Sequence, residues 1–241
     1  MSFLQAEKRR QTEWKLRTND VTRAAREPGL FGNRLFPFCL SVDHAAENLW
    51  SGVRSQMIEY FQANSIVWHT GALPGYPSNH LCSSQVFLVN LLGPFQNRRA
   101  LLHQLMATVY PDLTGILPVE APHRYLAFEW VPPVDLLQEG SQRGLFAGLK
   151  RGVGNTSIDF VFLGRVPQGR TVLVLGEGKY TEHYPTRLVD SAIAAKRIER
   201  YKRLIDEAGW LTSITQEEIR AMATETVYQN LKHHLLAHRL W

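Results

Sequence analysis

The sequence predicts a protein of the α/β (α+β) class, in which a mixed central sheet is flanked by helices and preceded by a helical extension. Three observations predict this class. Apolar residues recur at helical spacing both before residue 110 and after residue 188. Between these parts lie short apolar runs bounded by Gly and Pro, which is the pattern of strands. The resulting order of helices, strands and helices is typical of a mixed α and β fold.

The N-terminal half is predicted to be mainly helical. Residues 1–27 are polar and rich in Lys, Arg and Glu, so they fit either a solvated helix or a loose arm that ends at Pro28-Gly29. Beyond this break, apolar residues at helical spacing alternate with Gly- and Pro-rich connections. The predicted elements are helices over residues 45–63, 85–92 and 99–109 and a loop over residues 70–79.

The predicted strands lie in the second half of the chain. They are apolar and aromatic runs over residues 125–131, 157–163 and 171–175. A short turn containing Gly and Pro joins the second strand to the third, so these two strands should form an antiparallel hairpin. The other predicted elements are a Gly- and Arg-rich loop over residues 140–155 and helices over residues 188–205, 216–224 and 227–239.

Composition restricts the class of protein without identifying its partner. The chain has 241 residues, of which 44% are hydrophobic and 20% charged, so it can bury a core and we expect a single domain over residues 1–241. A net charge of +5 fits binding to nucleic acid and fits a mildly basic surface equally well. The same two interpretations apply to the basic helix face within residues 196–203.

Cysteine usage and hydropathy indicate the compartment. The two cysteines, Cys39 and Cys82, do not form a C-x-x-C pair, which excludes a zinc ribbon and fits a reducing environment. No secretory signal is visible, and no apolar run approaches the roughly 20 residues that cross a bilayer. We therefore expect a cytoplasmic protein that does not associate with a membrane.

The most informative residues are Asp159, Glu177 and Lys179. Glu177 and Lys179 are two positions apart at the end of a predicted strand, so their side chains should share a face. The predicted hairpin brings Asp159 close to Glu177. Carboxylates on such apolar strands are costly unless a positive charge compensates them, and two carboxylates supply the oxygen ligands that Mg²⁺ prefers. The alternative is a buried ion pair between Lys179 and either acid.

The triplet E-x-K is weak evidence by itself, because it also occurs at Glu13-Trp14-Lys15. That copy lies in a polar segment with no apolar strand before it and no Asp on a neighbouring strand. We interpret it as a solvated helix face. The later triplet is informative because of its strand and because of Asp159.

This layout resembles the PD-(D/E)XK nuclease superfamily and, within it, a restriction-endonuclease-like family of bacteria. The matching residues are His80-Leu81-Cys82-Ser83-Ser84-Gln85 with Asn90, Phe128-Glu129, Asn155-Thr156-Ser157-Ile158-Asp159 and Glu177-Gly178-Lys179-Tyr180-Thr181-Glu182 with Tyr184. The resemblance implies a restriction-endonuclease-like core over residues 120–241, preceded by a mainly helical part over residues 1–110.

The resemblance also implies residue roles. Asp159 and Glu177 would bind Mg²⁺ or Mn²⁺, and Lys179 would be the catalytic lysine. Gln85 would either support this site or serve as a hydrogen-bonded packing amide. Glu129 would either join the site or lie on an exposed strand face, and we slightly favour the exposed face.

Two features depart from the family pattern. Gly178 stands where the family usually carries a larger residue, so we expect a looser strand beside the site. The family pattern is expected to continue past Trp241, so that a late strand of the sheet would be absent.

The sequence therefore predicts a metal-dependent endonuclease that acts on DNA. Two alternatives stay open: a DNA-binding relative with little or no activity, and a structural or interaction protein in which an Asp–Lys pair stabilises the sheet. RNA is a further candidate substrate. The oligomeric state is open, with a homodimer among the expectations.

Overall fold

A computed structural model of the protein describes residues 1–69, 73–139, 151–152, 155–182, 188–209 and 215–240. The loop predicted over residues 140–155 lies mostly outside these ranges, as do Tyr184 and Trp241. Contacts between Cα atoms divide the chain into two compact units. The first comprises Met1–Trp130 and Lys150–Glu182, and the second comprises Val131–Leu149 and His183–Trp241.

The described part of the first unit contains four α-helices and six strands. The helices are α1 (Phe3–Arg17), α2 (Arg54–Ala63), α3 (Ser84–Leu92) and α4 (Arg99–Ala107). The strands are β1 (Gly29–Phe31), β2 (Arg34–Phe36), β3 (Gly115–Leu117), β4 (Ala127–Trp130), β5 (Ile158–Arg165) and β6 (Thr171–Gly176).

The N-terminal segment is an ordered helix and not a loose arm. Helix α1 begins with a capping box in which Ser2 and Gln5 satisfy each other's backbone N–H groups. Lys15 is only 1% exposed, and its Nζ donates to the carbonyl oxygens of Cys39 (2.6 Å) and Glu27 (3.1 Å). The interpretation of Glu13-Trp14-Lys15 as a solvated face is therefore wrong for Lys15, which ties α1 to the segments after it.

The helices predicted over residues 85–92 and 99–109 are confirmed as α3 and α4. Ser83 caps α3 by accepting a hydrogen bond from the N–H of Val86. The helix predicted over residues 45–63 is confirmed only in its second half, as α2. Residues Val42–Asn48 form 3₁₀ turns interrupted at His44, whose backbone is not helical.

The larger sheet is antiparallel throughout its described strands. Strand β5 pairs with β6 along one edge and with β4 and then β3 along the other. The predicted hairpin of residues 157–163 and 171–175 is confirmed as β5 and β6. The prediction of a mixed sheet is wrong for these strands. The separate β1–β2 hairpin and the short strand β3 were not predicted.

A hydrophobic core lies between α2, α3 and α4 and one face of this sheet. Leu88 and Val89 of α3, Met57 and Phe61 of α2, and Phe162 of β5 are each at most 6% exposed. Phe61 stacks on Trp68 with ring centroids 3.7 Å apart. Because α3 belongs to this core, its other side chains are held at fixed positions against the sheet.

The described part of the second unit consists mainly of α5 (Ser191–Ala208), α6 (Gln216–Met222) and α7 (Glu225–Leu240). These agree with the three predicted C-terminal helices to within a few residues. Asp190 caps α5 by accepting from the N–H of Ala192, and Gly209, with a φ of 69°, ends it. The described helices include none that is long and apolar enough to cross a membrane.

Candidate active site

The β5–β6 hairpin brings Asp159 and Glu177 together. Its last pair is Phe160 with Gly176, so Asp159 and Glu177 are at the next cross-strand position. The Oδ2 atom of Asp159 accepts a hydrogen bond of 2.8 Å from the N–H of Gly178. The proximity that the hairpin predicted is therefore present, although the residues are far apart in sequence.

Strand β4 adds a third carboxylate at the same level. Phe128 pairs with Phe160 and Trp130 pairs with Ile158, which places Glu129 opposite Asp159. The φ of Glu129 is 47°, a left-handed value that costs a non-Gly residue on the order of 1–3 kcal/mol. Such strained backbone clusters at functional sites. Glu129, Asp159 and Glu177 thus form a row across β4, β5 and β6, which we term the carboxylate row.

Glu129 is buried, at 4% exposure, so the expectation that it lies on an exposed face is wrong. Its Oε1 atom accepts a hydrogen bond of 2.7 Å from Nε2 of Gln85. The imidazole Nε2 of His69 lies 3.8 Å from the same oxygen. The error arose because Ala127, Phe128 and Glu129 are buried in succession, so this strand has no alternation between a buried and an exposed face.

Gln85 meets both descriptions that the sequence left open. Its side-chain oxygen accepts from the N–H of His69 at 2.8 Å, and its amide nitrogen donates to the carbonyl of Val67 at 3.1 Å as well as to Glu129. It is therefore a hydrogen-bonded packing amide. Through the same hydrogen bonds it fixes the Glu129 carboxylate at the end of the carboxylate row.

Lys179 forms an ion pair with Glu177 through Nζ and Oε1. The Lys179 side chain is 34% exposed and that of Glu177 is 17% exposed, so the pair lies at the boundary between the interior and solvent. The sequence left a buried ion pair as an alternative; the pair with Glu177 is present, but it is only partly buried. A lysine in this position can also contact an incoming anion, because part of its side chain reaches solvent.

Asp159 and Glu129 of the carboxylate row both have raised pKa values, so their ionised forms are disfavoured. Burial raises the pKa of Asp159 to about 6, and the neighbouring charge of Glu177 contributes to the rise. The Gly178 N–H, Lys179 and His69 act in the opposite direction. Burial is also the main reason that the pKa of Glu129 is raised. The site is therefore short of positive charge when its acids are ionised.

The donor chemistry of the carboxylate row fits a hard divalent cation. Asp159 and Glu177 offer oxygen ligands, and Mg²⁺ is usually held by one or two carboxylates together with water and substrate phosphate. Within the described ranges, no group of three or more His, Cys, Asp or Glu residues is placed to hold a metal ion. A cation at Asp159 and Glu177 would therefore need water or a substrate to complete its ligands.

Helix α3 packs directly against the segment after β6. A Cβ atom on Gly178 would lie 2.3 Å from Cδ1 of Leu88, so only Gly allows this approach. Ser84 Oγ accepts a hydrogen bond from the N–H of Tyr180 at 3.1 Å. The structure contradicts the looser strand expected at Gly178, because α3 fills the space that a larger residue would need.

His69 is the one site residue that sequence reasoning did not select. It follows an apolar run in which Ile66 and Trp68 are buried, and its ring nitrogen lies 2.8 Å from the carbonyl oxygen of Gly152. Its only signal in the sequence was a polar side chain directly after Ile66-Val67-Trp68, which many solvated histidines share. Its position depends on Gln85 and Glu129, which are distant in sequence.

Comparison with known proteins gives one result. A family model described as Restriction Endonuclease associating with ARP matches residues 7–240. The match spans the carboxylate row, Lys179, Gln85 and His69. No curated protein and no solved structure matches the chain.

Proposed function

The chain belongs to the family described as Restriction Endonuclease associating with ARP, and from this premise we propose that it is a divalent-metal-dependent endonuclease that hydrolyses phosphodiester bonds of DNA. The observation that carries the proposal is the carboxylate row with Lys179 at its end. The site would use Asp159, Glu177 and Lys179, with Mg²⁺ or Mn²⁺ as the cation. Gln85 and Glu129 would support it.

The raised pKa of Asp159, about 6, supports this assignment. Buried acids that repel one another are costly to a fold, and strongly perturbed carboxylates are concentrated at functional sites. A bound cation would remove the cost by favouring the ionised form of Asp159. When bound, the cation would supply Lewis-acid polarisation of the phosphate and would lower the pKa of an attacking water.

The remaining roles in the reaction would fall to residues of the protein. Asp159 and Glu177 would hold the cation, and the Gly178 N–H fixes the orientation of the Asp159 carboxylate. Lys179 would donate from Nζ to the attacking water or to a phosphate oxygen as negative charge develops there. Water would attack phosphorus in line with the leaving 3′ oxygen, so that the P–O3′ bond breaks as the new P–O bond forms. The water would lose its proton to solvent, and the 3′ oxygen would take a proton from solvent.

A cleavage assay tests the proposal. Purified protein is incubated with plasmids and oligonucleotides of varied sequence in Mg²⁺ or Mn²⁺, and products are followed on gels. We expect cleavage that is abolished in Asp159→Ala and in EDTA. Exposed Asp112 provides the matched control, because Asp112→Ala should cleave like wild type. Cleavage that persists in Asp159→Ala would assign the activity to a contaminant, and no cleavage of any substrate would contradict the proposal.

The ion pair between Lys179 and Glu177 favours a second candidate, a relative without catalytic activity. In that case Lys179 compensates Glu177 permanently, and the protein either binds DNA without cutting it or uses the pair only to stabilise the sheet. Calorimetric titration with Mn²⁺ separates the candidates. The nuclease binds Mn²⁺ and loses this binding in Asp159→Ala, whereas a purely structural pair binds none.

The family description names an association with ARP. We extend this association with ARP to the chain as part of the proposal. The proposal also includes DNA over RNA as substrate, and the net charge of +5 is compatible with either. Parallel cleavage assays with DNA and RNA of equal sequence decide between them.

A further inference from the structure

A pocket of about 310 Å³ lies between α1, α3 and the segment that follows Lys179. Its volume is at the lower end of the range for small-molecule sites, about 300–1,000 Å³. Its lining includes Arg10, Gln11, Trp14, Phe87 and Tyr180. None of these residues is part of the carboxylate row.

The pocket wall presents aromatic rings to solvent. Trp14 is 39% exposed and Phe87 is 38% exposed, which is high for such large apolar side chains. Phe87 stacks on Tyr180 with ring centroids 4.5 Å apart and planes inclined by 17°. A pair of stacked rings beside a third exposed ring favours a flat aromatic ligand.

The polar edge of the pocket is fixed before any ligand arrives. The hydroxyl of Tyr180 donates to Glu7 (2.5 Å) and accepts from Arg10 (3.1 Å) and Gln11 (2.9 Å). Arg10 also donates to Glu7 through Nε and Nη2, while its side chain remains 65% exposed. The edge therefore combines a held guanidinium with amide groups, which suits a ligand that has polar ring edges and a neighbouring negative charge.

From these features we propose that the pocket binds one unstacked nucleobase of a nucleic acid strand. This inference rests on the proposed function and specifies how its substrate is held. The base stacks on the aromatic wall, Gln11 and the indole N–H of Trp14 meet its polar edge, and Arg10 compensates the adjoining phosphate. Stacking of this kind tolerates all bases, because every base has a π face.

The position of the pocket relates the bound base to the scissile phosphate. Tyr180, in the pocket wall, directly follows Lys179 in the chain. Tyr180 donates its backbone N–H to Ser84 Oγ of α3, so the residue directly after Lys179 is held at the pocket wall. The bound base therefore belongs to a nucleotide that flanks the phosphate at Lys179, and it holds the strand in register for cleavage.

Abasic scanning tests the proposal. Labelled oligonucleotides, both single strands and duplexes, carry one abasic site moved along the sequence, and binding is followed by fluorescence anisotropy in EDTA. For wild type we expect one position at which loss of the base weakens binding by roughly 5- to 100-fold, the worth of one stacked base. In Trp14→Ala the intact strand should bind with the same loss, and the abasic site should have no further effect.

Two variants provide the controls. Trp14→Phe keeps an aromatic ring and should restore most of the affinity. Trp50 is 48% exposed and does not line the pocket, so Trp50→Ala should bind like wild type. The proposal would be overturned if the abasic site weakened binding to Trp14→Ala as much as it weakens binding to wild type. It would also be overturned if no position of the abasic site affected binding to wild type. DNA and RNA strands of equal sequence show which of them supplies the base.

A second measurement separates this proposal from the nuclease function. Saturation-transfer NMR with deoxynucleoside monophosphates reports on the pocket without any longer substrate. If strands bind but no abasic position matters, the pocket proposal fails and the proposed function stands. If no strand binds in EDTA and none is cleaved in Mn²⁺, the proposed function fails, and a mononucleotide signal that Trp14→Ala removes would still support the pocket. If neither strands nor mononucleotides bind and no strand is cleaved, the pocket proposal and the proposed function are both overturned.

Discussion

Asp159 is a buried acid whose ionisation the folded protein opposes. Burial and the Glu177 charge raise its pKa to about 6 from the ordinary value of 3.8. A difference of roughly two pKa values corresponds to about 3 kcal/mol. The folded state therefore binds a proton on Asp159 more tightly than the unfolded state does, and ionised Asp159 opposes folding when no cation is present.

The raised pKa of Asp159 makes the stability of the protein depend on pH. Between about pH 4 and pH 6 the folded state holds more protons than the unfolded state, so the contribution of Asp159 to stability is present at low pH and is lost as pH rises through about 6. Asn cannot ionise, so Asp159→Asn lacks this loss. In EDTA we expect wild type to lose about 1–3 kcal/mol relative to Asp159→Asn between pH 4.5 and pH 7.5.

Urea denaturation at the two pH values measures this difference. Asp112→Asn is the matched control, because Asp112 is exposed. The stability of wild type relative to Asp112→Asn should be nearly the same at both pH values. A wild-type protein that keeps the same stability relative to Asp159→Asn at both pH values would contradict the assigned environment of Asp159.

At this scale the sequence predicted the contacts that depend on regular strand geometry. Asp159 and Glu177 meet because a short turn closes a hairpin, and hairpin register follows from the chain. Glu129 was misplaced because Ala127, Phe128 and Glu129 are buried in succession, so this strand has no alternation between a buried and an exposed face. The burial of Lys15 against Cys39 was missed for a different reason: carbonyl partners leave no trace in the pattern of side chains.

Helix α3 determines how closely the segment after β6 can approach the core. A Cβ at position 178 would overlap Leu88, which is itself 6% exposed. We expect Gly178→Ala to destabilise the protein by about 1–3 kcal/mol through overpacking. We expect Leu88→Ala to cost about 2–5 kcal/mol because it creates a cavity.

The double variant tests whether these two costs share one cause. Because the new methyl group can occupy the space left by Leu88, the double variant should be more stable than the sum of the single effects by about 0.5–3 kcal/mol. Urea denaturation of the four proteins gives the coupling. Gly115→Ala is the control, since the nearest atom to its Cβ is 3.8 Å away. Strictly additive effects would show that Leu88 and Gly178 are not in contact.

Helix α1 is joined to the same segment by the hydroxyl of Tyr180. That hydroxyl donates a hydrogen bond of 2.5 Å to Glu7, which is a buried residue of α1. Hydrogen bonds to charged groups contribute about 1.5–3 kcal/mol, so a double-mutant cycle of Tyr180→Phe and Glu7→Gln should give a coupling of that size. Thermal or urea unfolding provides the measurement.

Glu13 supplies the matched control for this cycle, because it lies on α1 and is exposed. Tyr180→Phe and Glu13→Gln should act independently. If Tyr180 and Glu7 also prove independent, α1 does not depend on Tyr180 for its docking, and the fixed polar edge of the pocket beside it would need another explanation.

Element prediction was closest for the apolar helices α3 and α4 and missed the shortest strands. Helices α3 and α4 carry enough apolar residues, and α3 also a Ser cap, to be located closely from sequence. Strands β1, β2 and β3 have three residues each, too few to establish a period of two. The antiparallel character of the β4–β5 pair also escaped prediction, because a long connection between strands permits either direction.

At the scale of the whole molecule, the candidate site belongs to one of the two compact units. Asp159, Glu177, Lys179, Gln85 and Glu129 all lie in the unit formed by Met1–Trp130 and Lys150–Glu182. The other unit carries the basic helix α5, for which contact with a DNA backbone stays a prediction. A ligand that binds only the folded first unit should therefore stabilise that unit specifically.

Calorimetric unfolding with Mn²⁺ tests whether the metal site lies in the first unit. A ligand at 100 times its dissociation constant stabilises the folded state by about 2.7 kcal/mol, which raises Tm by roughly 5–10 °C in a protein of this size. If the units unfold separately, only one transition should move, and if they unfold together, the single transition should move. Asp159→Ala should show no shift, whereas Asp112→Ala should shift like wild type. Equal shifts in wild type and Asp159→Ala would place Mn²⁺ elsewhere and remove the carboxylate row as the metal site.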